Sequence, residues 1–252
     1  MQPQPEESPV MLLTGVRHPS EARLADRLRY EQACAVRERL TDQPSAARLL
    51  NFIAEASDFA EAMVTKHRDP ASPPIACKEG CGWCCHQPVR ITALEAFRVA
   101  RFIKEDLAPD ARQRIVDRLH VLDETTRGMP LDVRLASRKT CAFLEDGRCS
   151  IYAARPLACA GFTSYDVEAC KRHRESGFKS NDVIQEKARM LVYYAVQRGL
   201  ADGLQQALPE ADTAPLELTA AVVNVLARAN AEQAWTAGEA VFVHAHIDER
   251  KG

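Results

Sequence analysis

The cysteines are the residues of this chain whose type and spacing can do chemistry. Four of the nine cysteines lie within nine positions, at Cys77, Cys81, Cys84 and Cys85. Clustered thiols with short spacers are how a chain delivers several thiolates to one soft metal ion. Two glycines inside this stretch permit the positive φ angles that a chain wrapped around a cation needs. We therefore predict that residues 77–85 form a metal-ligand loop.

The second half of the predicted site comes from four cysteines further along the chain. The complete set of predicted metal ligands is Cys77, Cys81, Cys84, Cys85, Cys141, Cys149, Cys159 and Cys170. Cys34 has no partner at ligand spacing and lies in a helical pattern, so we expect it to be a core or half-buried residue. Because eight thiols suffice for two tetrahedral sites, His86 is expected to lie outside the metal shell. His244 and His246 have a spacing seen in some metal sites, but they lie near the end of the sequence with no acidic or cysteine companion, so we do not expect them to bind metal.

A disulfide framework is the alternative use of so many cysteines, and the redox compartment decides between the two. The first ten residues are polar and rich in Pro and Glu, without a basic segment followed by an apolar one. We therefore expect a cytoplasmic protein. In a reducing cytoplasm, cysteines at these spacings favour metal ligation over disulfides.

Composition excludes several other classes. With 252 residues, of which 46% are hydrophobic and 27% charged, the chain can bury a core without a metal. A net charge of -2 gives no general attraction to nucleic acid or to an anionic membrane. The basic run Lys171 to Arg174 is short and lacks interleaved aromatic residues, so we interpret it as a solvated loop. No apolar run is long enough to span a bilayer.

Apolar periodicity predicts a mainly α protein, a helical bundle-like domain over 19–252 that follows a flexible N-terminal arm over 1–18. Helices are predicted from Pro19, over 44–67, from a capping box at Thr92 and Glu95, after Pro109, and in two stripes, Ile184 to Ala195 and Leu218 to Ala229.

The cysteine-rich segment 77–170 is predicted as an insert that contains a short β-hairpin. Asp146-Gly147 is a tight-turn signal, which brings Cys141 and Cys149 towards each other. Cys159 is predicted on a short helical turn that begins at Pro156, and Cys170 on a polar loop. Eight thiolates carry excess negative charge, which basic residues in the sequence are expected to offset: Lys78, Arg90, Arg148, Arg155 and the run 171–174.

Four blocks in this order resemble the YkgJ-type CxxCxxCC cysteine-cluster family, whose members are described as zinc- or iron-chelating. The blocks are Cys77-x3-Cys81-x2-Cys84-Cys85, Cys141-x-Phe143-Leu144, Gly147 to Tyr152, and Arg155-Pro156-x2-Cys159. The chain departs from the family pattern at Ala142 and Ala160. The resemblance implies a metal site over about 77–170 and leaves both the metal and the activity open.

Metal binding is the first functional hypothesis, with a storage, sensing, delivery or structural role. Thiolate-only ligation suits zinc or an iron-sulfur cluster. Because adjacent side chains diverge, Cys84 and Cys85 indicate two sites, or one site and a spare thiol. The partner is then a metal ion, and a protein partner would suit a delivery role.

Two other classes compete with this hypothesis. The Cys-x3-Cys-x2-Cys spacing is that of radical S-adenosylmethionine enzymes, although the helical pattern does not fit their partial TIM barrel. Methyl transfer is a further enzymatic alternative, since flagellin lysine methylases resemble the same cysteine-cluster family. The other competing class is a helical protein-interaction module in which the metal only cross-links a loop. No catalytic or organic-cofactor residue is assigned, and a non-enzymatic role is favoured.

Overall fold

The computed structural model describes residues 19–41 and 46–247, and the side chains of all of these except 41 and 46–49. The arm predicted over 1–18 lies outside the described residues. Within them the chain forms ten α-helices: α1 (Pro19–Thr41), α2 (Ala46–His67), α3 (Ala93–Glu105), α4 (Pro109–Thr126), α5 (Leu131–Ser137), α6 (Leu157–Gly161), α7 (Val167–Glu175), α8 (Lys187–Ala207), α9 (Leu218–Ala227) and α10 (Ala231–Thr236).

Helices α1 and α8 form the closest pair in the scaffold. Glycines on α8 allow this approach, because a Cβ at Gly199 would lie 2.3 Å from the Arg29 carbonyl oxygen, and one at Gly203 would lie 2.7 Å from the Cβ of Val36. Both Leu28 and Val36 on α1 are fully buried. The α1–α8 interface therefore depends on small residues from one helix and an apolar stripe from the other.

Helix α3 begins at the predicted capping box. The Thr92 hydroxyl accepts a hydrogen bond from the Glu95 amide at 3.4 Å, and the Glu95 carboxylate accepts one from the Thr92 amide at 2.7 Å. The same carboxylate also accepts a hydrogen bond from the Leu157 amide at 2.8 Å. Glu95 is only 1% exposed. The buried Glu95 side chain thus completes the capping box of α3 and also links α6 to α3 by a hydrogen bond.

The remaining helices complete one apolar core. Ile115, Leu119 and Leu122 of α4 are buried, as their helical spacing predicted. Phe97 of α3 packs edge-on against Trp235 of α10, with ring centroids 5.5 Å apart. This core brings the helices before and after the cysteine-rich segment together.

Two small antiparallel sheets interrupt the helical structure. Strand β1 (Arg90–Ile91) pairs with β4 (Leu216–Glu217), and β2 (Leu144–Glu145) pairs with β3 (Arg148–Cys149). Asp146 and Gly147 both have positive φ, 49° and 77°, which is the geometry of a type I′ hairpin turn. The predicted mainly α fold and its short hairpin are confirmed, and the sheets of the described residues do not build a partial TIM barrel.

Several element predictions were wrong. Ile184 is 70% exposed and precedes α8, and Ala229 follows the end of α9. The short helices α5, α7 and α10 have too few turns to show a clear apolar period, so the sequence did not predict them.

In the described part of the chain, no helix has the length and apolar character needed to cross a membrane.

Candidate metal centre

The loop that carries Cys77 to Cys85 has no regular secondary structure and is shaped by tight turns. The Cys81 amide donates to the Lys78 carbonyl at 3.0 Å, and the Cys85 amide donates to the Gly82 carbonyl at the same distance. Gly80 has a φ of 86°, a conformation that favours glycine. Because of these turns, the four cysteines of residues 77–85 lie along one short, curved segment of backbone.

The loop is fastened to the later cysteine segments at both of its ends. At its start, the Ala76 amide donates to the Ser164 carbonyl at 2.8 Å, and the Ser164 amide donates to the Cys77 sulfur at 3.4 Å. At its end, the Cys141 amide donates to the Cys85 carbonyl at 2.8 Å. Ser164 is only 1% exposed. Residues more than 50 positions apart in sequence are therefore joined by direct hydrogen bonds.

The hairpin positions Cys141 and Cys149 as its turn predicted. Cys149 pairs with Leu144 in the β2–β3 register, and the Leu144 amide donates to the Cys141 carbonyl at 3.0 Å. A Cβ at Gly82 would lie 3.0 Å from both methyl groups of Leu144. The hairpin thus packs directly against the loop that carries the first four cysteines.

Cys159 lies on the short helix α6, which the scaffold holds on two sides. The Arg189 guanidinium donates to the Ala160 carbonyl at 3.3 Å, and a Cβ at Gly161 would lie 2.6 Å from the Cβ of Tyr193. Arg189 and Tyr193 both belong to α8. Together with the Glu95 bond to α6, they fix the orientation of Cys159 relative to the core.

Cys170 lies on α7 and not on a polar loop, which corrects the sequence-based expectation. The Asp166 side chain caps this helix by accepting a hydrogen bond from the Glu168 amide at 2.8 Å. The basic run 171–174 belongs to the same helix, and its charges concealed the helical pattern. Cys170 is buried, while Arg172 is exposed, because the two residues lie on different faces of α7.

The thiols fall into two neighbourhoods. Burial raises the pKa of Cys170, and the nearby thiols of Cys77, Cys84 and Cys81 raise it further. Burial likewise raises the pKa of Cys159 well above its usual value, with further increases from Cys141, Cys84 and Cys149. Cys84 is a neighbour of both groups, and interaction with the adjacent Cys85 thiol, together with burial, raises the pKa of Cys84 well above its usual value. The loop therefore connects the two groups of cysteines through its adjacent pair.

Six of the clustered thiols have a raised pKa, which favours their protonated form at neutral pH: Cys77, Cys84, Cys141, Cys149, Cys159 and Cys170. Burial raises the pKa of Cys141 to about 12, and the thiol of Cys149 and the carboxylate of Glu217 add to the increase. Metal ions bind the thiolate form, so binding at such cysteines releases protons. The nine cysteines are all free thiols in the structure. Over the described residues, no three His, Cys, Asp or Glu side chains are arranged to hold a metal ion.

A buried arginine beside Cys141 tests whether the site suits a metal-thiolate centre. Arg134 on α5 is 4% exposed, and its Nε has no hydrogen-bond partner. Its guanidinium donates to the Lys139 carbonyl at 3.5 Å, and burial lowers its pKa, partly offset by Glu217 and Cys141. A buried cation is costly without a nearby anion. Conversion of Cys141 to a metal-bound thiolate would add negative charge beside Arg134 and Glu217. The thiol donors present therefore suit a soft metal in type, while the side chains of the described residues do not surround a common point.

Other candidate residues lie outside the two groups. Cys34 lies on α1, where it accepts a hydrogen bond from Arg37 at 2.9 Å. His86 is hydrogen-bonded to Thr140 at 3.2 Å. His246 forms an ion pair with Asp212 at 2.7 Å when it is protonated. None of the three is brought to the cysteines by a contact in the structure.

Two residues at the site were missed from the sequence. The Ser164 amide donates to the Cys77 sulfur, and the Ser164 side chain lies near enough to Cys170 to oppose the rise in the pKa of that thiol. Arg134 lies beside Cys141. Neither has a recognisable spacing from a cysteine, since serine and arginine are common in loops and short helices. Only the folded chain brings them to the thiols.

The fold and the site together define a mainly helical protein with a thiol-rich centre. The family model CxxCxxCC, described as "Putative zinc- or iron-chelating domain", matches residues 76–184, which contain all eight clustered cysteines. This match confirms the resemblance of the four cysteine blocks to the family over that segment. No curated protein and no solved structure matches the chain.

Proposed function

We propose that the protein binds zinc or an iron-sulfur cluster through two groups of cysteine thiolates, at Cys77, Cys81, Cys84 and Cys170 and at Cys85, Cys141, Cys149 and Cys159. Convergence of four separate chain segments is the observation that carries this proposal. The loop, the hairpin, α6 and α7 each contribute thiols, and hydrogen bonds through Ser164 and Cys85 join them. Thiolate donors without carboxylates favour a soft metal over magnesium or calcium.

The division into two groups follows the contacts of the loop. Ser164 is hydrogen-bonded to Cys77 and also influences the pKa of Cys170, which favours one site near α7. The backbones of Cys85 and Cys141 are joined by a hydrogen bond, which favours a second site near the hairpin. Adjacent side chains diverge, so Cys84 and Cys85 can serve different sites. Metal binding then requires the thiol side chains to rotate towards the ion, since those of the described residues do not surround a common point.

A structural or carrier role is favoured over catalysis. Few hydrogen bonds connect the loop, the hairpin and the helices, and a bound metal would add cross-links between them. We further propose that the protein works in a reducing compartment such as the cytoplasm, where the thiols remain available.

Elemental analysis of anaerobically purified protein tests the proposal. We expect about two zinc ions, or iron with matching sulfide and visible absorption, per chain. Cys141→Ser should lose metal from the hairpin group. The exposed variant Ser176→Ala, at the end of α7 and away from the thiols in sequence, should retain the wild-type content and serves as the control. Protein free of zinc and iron, with its thiols reduced, would refute the proposal.

A further inference from the structure

Helix α7 carries basic residues on two faces, and the two faces have different surroundings. The Arg172 guanidinium lies 3.1 Å from the carboxylate of Asp182 and 3.8 Å from that of Asp166, so its charge is neutralised. Lys171 and Arg174 are three positions apart and share another face of the helix.

The side chain of Trp83, on the cysteine loop, lies beside this second face. Lys171 Nζ is 5.9 Å and Arg174 Cζ is 6.0 Å from the centroid of the Trp83 ring. Both distances are within the range of cation–π attraction. All three residues are half-buried. The indole and the two cations therefore form one surface between the loop and α7.

The end of α5 adds positive charge at the same place. The Arg138 guanidinium donates to the Glu175 carbonyl at 3.2 Å. Glu175 directly follows Arg174, so the Arg138 charge lies near the end of α7. The next residue, Lys139, is exposed. We call these residues together the Trp83 surface: Trp83, Arg138, Lys139, Lys171 and Arg174.

Most of the positive charge of the Trp83 surface is unpaired. Lys171 forms a long ion pair with Glu168 at 3.8 Å, and both side chains are exposed. Among the described residues, no carboxylate forms an ion pair with Arg138, Lys139 or Arg174. The buried Nε of Arg174 also has no hydrogen-bond partner. The Trp83 surface is thus a local excess of positive charge on a chain whose net charge is -2.

We propose that the Trp83 surface binds a short acidic segment of a partner protein, with carboxylates at Arg174 and Arg138 and with Trp83 as the aromatic anchor. Arginine and tryptophan are among the residues that most often dominate the binding energy of protein interfaces. A guanidinium group binds a carboxylate through two parallel N–H donors. The inference goes beyond the proposed function, because it assigns a class of partner and does not depend on which metal is bound.

Charge and geometry favour an acidic protein segment over a nucleic acid. Nucleic acids are held by many phosphate contacts that salt weakens steeply, and four cations can neutralise only a few phosphates. The net charge of -2 adds no long-range attraction for a polyanion. The Trp83 ring already has two cations beside it, which leaves less of its face for base stacking.

Stabilisation of a helix end is the other use of basic residues in a last turn. Arg172 and Arg174 both belong to the last turn of α7, so both serve that purpose. Helix stabilisation does not account for the contact of Arg174 with Trp83. Arg172 is therefore the matched control for Arg174.

The test titrates the anaerobically purified chain into a fluorescein-labelled peptide of alternating Glu and Ser, at low ionic strength, and measures fluorescence anisotropy. A peptide with Gln in place of Glu and a labelled oligothymidylate are titrated in parallel. Tryptophan emission is recorded with unlabelled peptide. Of the two tryptophans, Trp235 is only 1% exposed, so a change in emission on binding indicates Trp83. The thermal midpoints of Arg174→Gln and Arg172→Gln are also measured.

We expect the wild-type chain to bind the acidic peptide, with a change in tryptophan emission, and to release it as salt is raised. Arg174→Gln should weaken binding about tenfold, the effect of losing one hydrogen-bonded charge pair. Arg172→Gln should stay within about threefold of wild type, as expected for an exposed charge outside the contact. The two variants should have similar thermal midpoints.

Three results would overturn the proposal. The first is equal binding of the Glu and Gln peptides, or binding of neither. The second is tighter binding of oligothymidylate than of the acidic peptide at the same salt, which would indicate a nucleic-acid surface. The third is an equal loss in Arg172→Gln and Arg174→Gln, which would assign the attraction to the overall charge of α7. A chain that binds the acidic peptide as expected but contains neither zinc nor iron would refute the proposed function and leave this inference intact.

Discussion

The α1–α8 interface and the cysteine loop use different kinds of interaction to hold the chain. At the interface, buried apolar side chains pack against glycines with almost no free space. In the loop, the backbone is shaped by turns and by hydrogen bonds to Ser164 and Cys141, and its cysteines are only half-buried. The comparison indicates that the scaffold is held mainly by apolar burial, with ion pairs such as Arg29–Asp202 at its surface. We expect the loop to depend on its proposed metal for rigidity.

Metal removal should give the largest contrast between the two regions. Structural zinc contributes about 10–16 kcal/mol to the folding of small zinc-finger peptides, so the cysteine loop should lose its ordered state when a chelator is added. Amide hydrogen exchange should accelerate in the segments 77–85 and 141–149 and stay slow in α1 and α8. Equal acceleration in both regions would show that the scaffold also depends on metal.

Substitution at the helix interface should have the opposite pattern. Gly199→Ala places a Cβ 2.3 Å from the Arg29 carbonyl oxygen, so we expect a loss of about 3 kcal/mol in the free energy of unfolding, the upper part of the range for overpacking. Metal content per folded chain should not change. Denaturant unfolding measures the loss, with the exposed Gln205→Ala on the same helix as the control. A variant as stable as wild type would contradict the close packing described for α1 and α8.

The smallest effect is expected at the cysteine outside the centre. Cys34→Ser places a hydroxyl in a half-buried position on α1 and should cost about 1 kcal/mol. Its metal content should equal that of wild type at the same protein concentration. If Cys34→Ser removes metal as completely as Cys141→Ser, α1 must reach the centre, and the separation of scaffold from site would be wrong.

The sequence predicted the parts of the molecule that local chemistry determines. Regular apolar spacing was enough for the long helices, and Asp146-Gly147 was enough for the hairpin, because a type I′ turn needs residues that accept positive φ. Cys170 was misplaced because the charged residues after it hide a helix of nine residues. Arg134 and Ser164 were missed because their roles arise from contacts between distant segments. The resemblance of the four cysteine blocks to the family was confirmed, while the ligand set remains a prediction.

X-ray absorption at the metal edge of the purified protein tests the central claim most directly. If eight cysteines form two four-thiolate sites, the first shell should contain about four sulfur atoms per metal and no nitrogen or oxygen, with zinc–sulfur distances of about 2.3 Å in a zinc-loaded sample. Fluorescence from the same sample gives the identity of the metal. A first shell made mainly of nitrogen or oxygen atoms would contradict ligation by these cysteines.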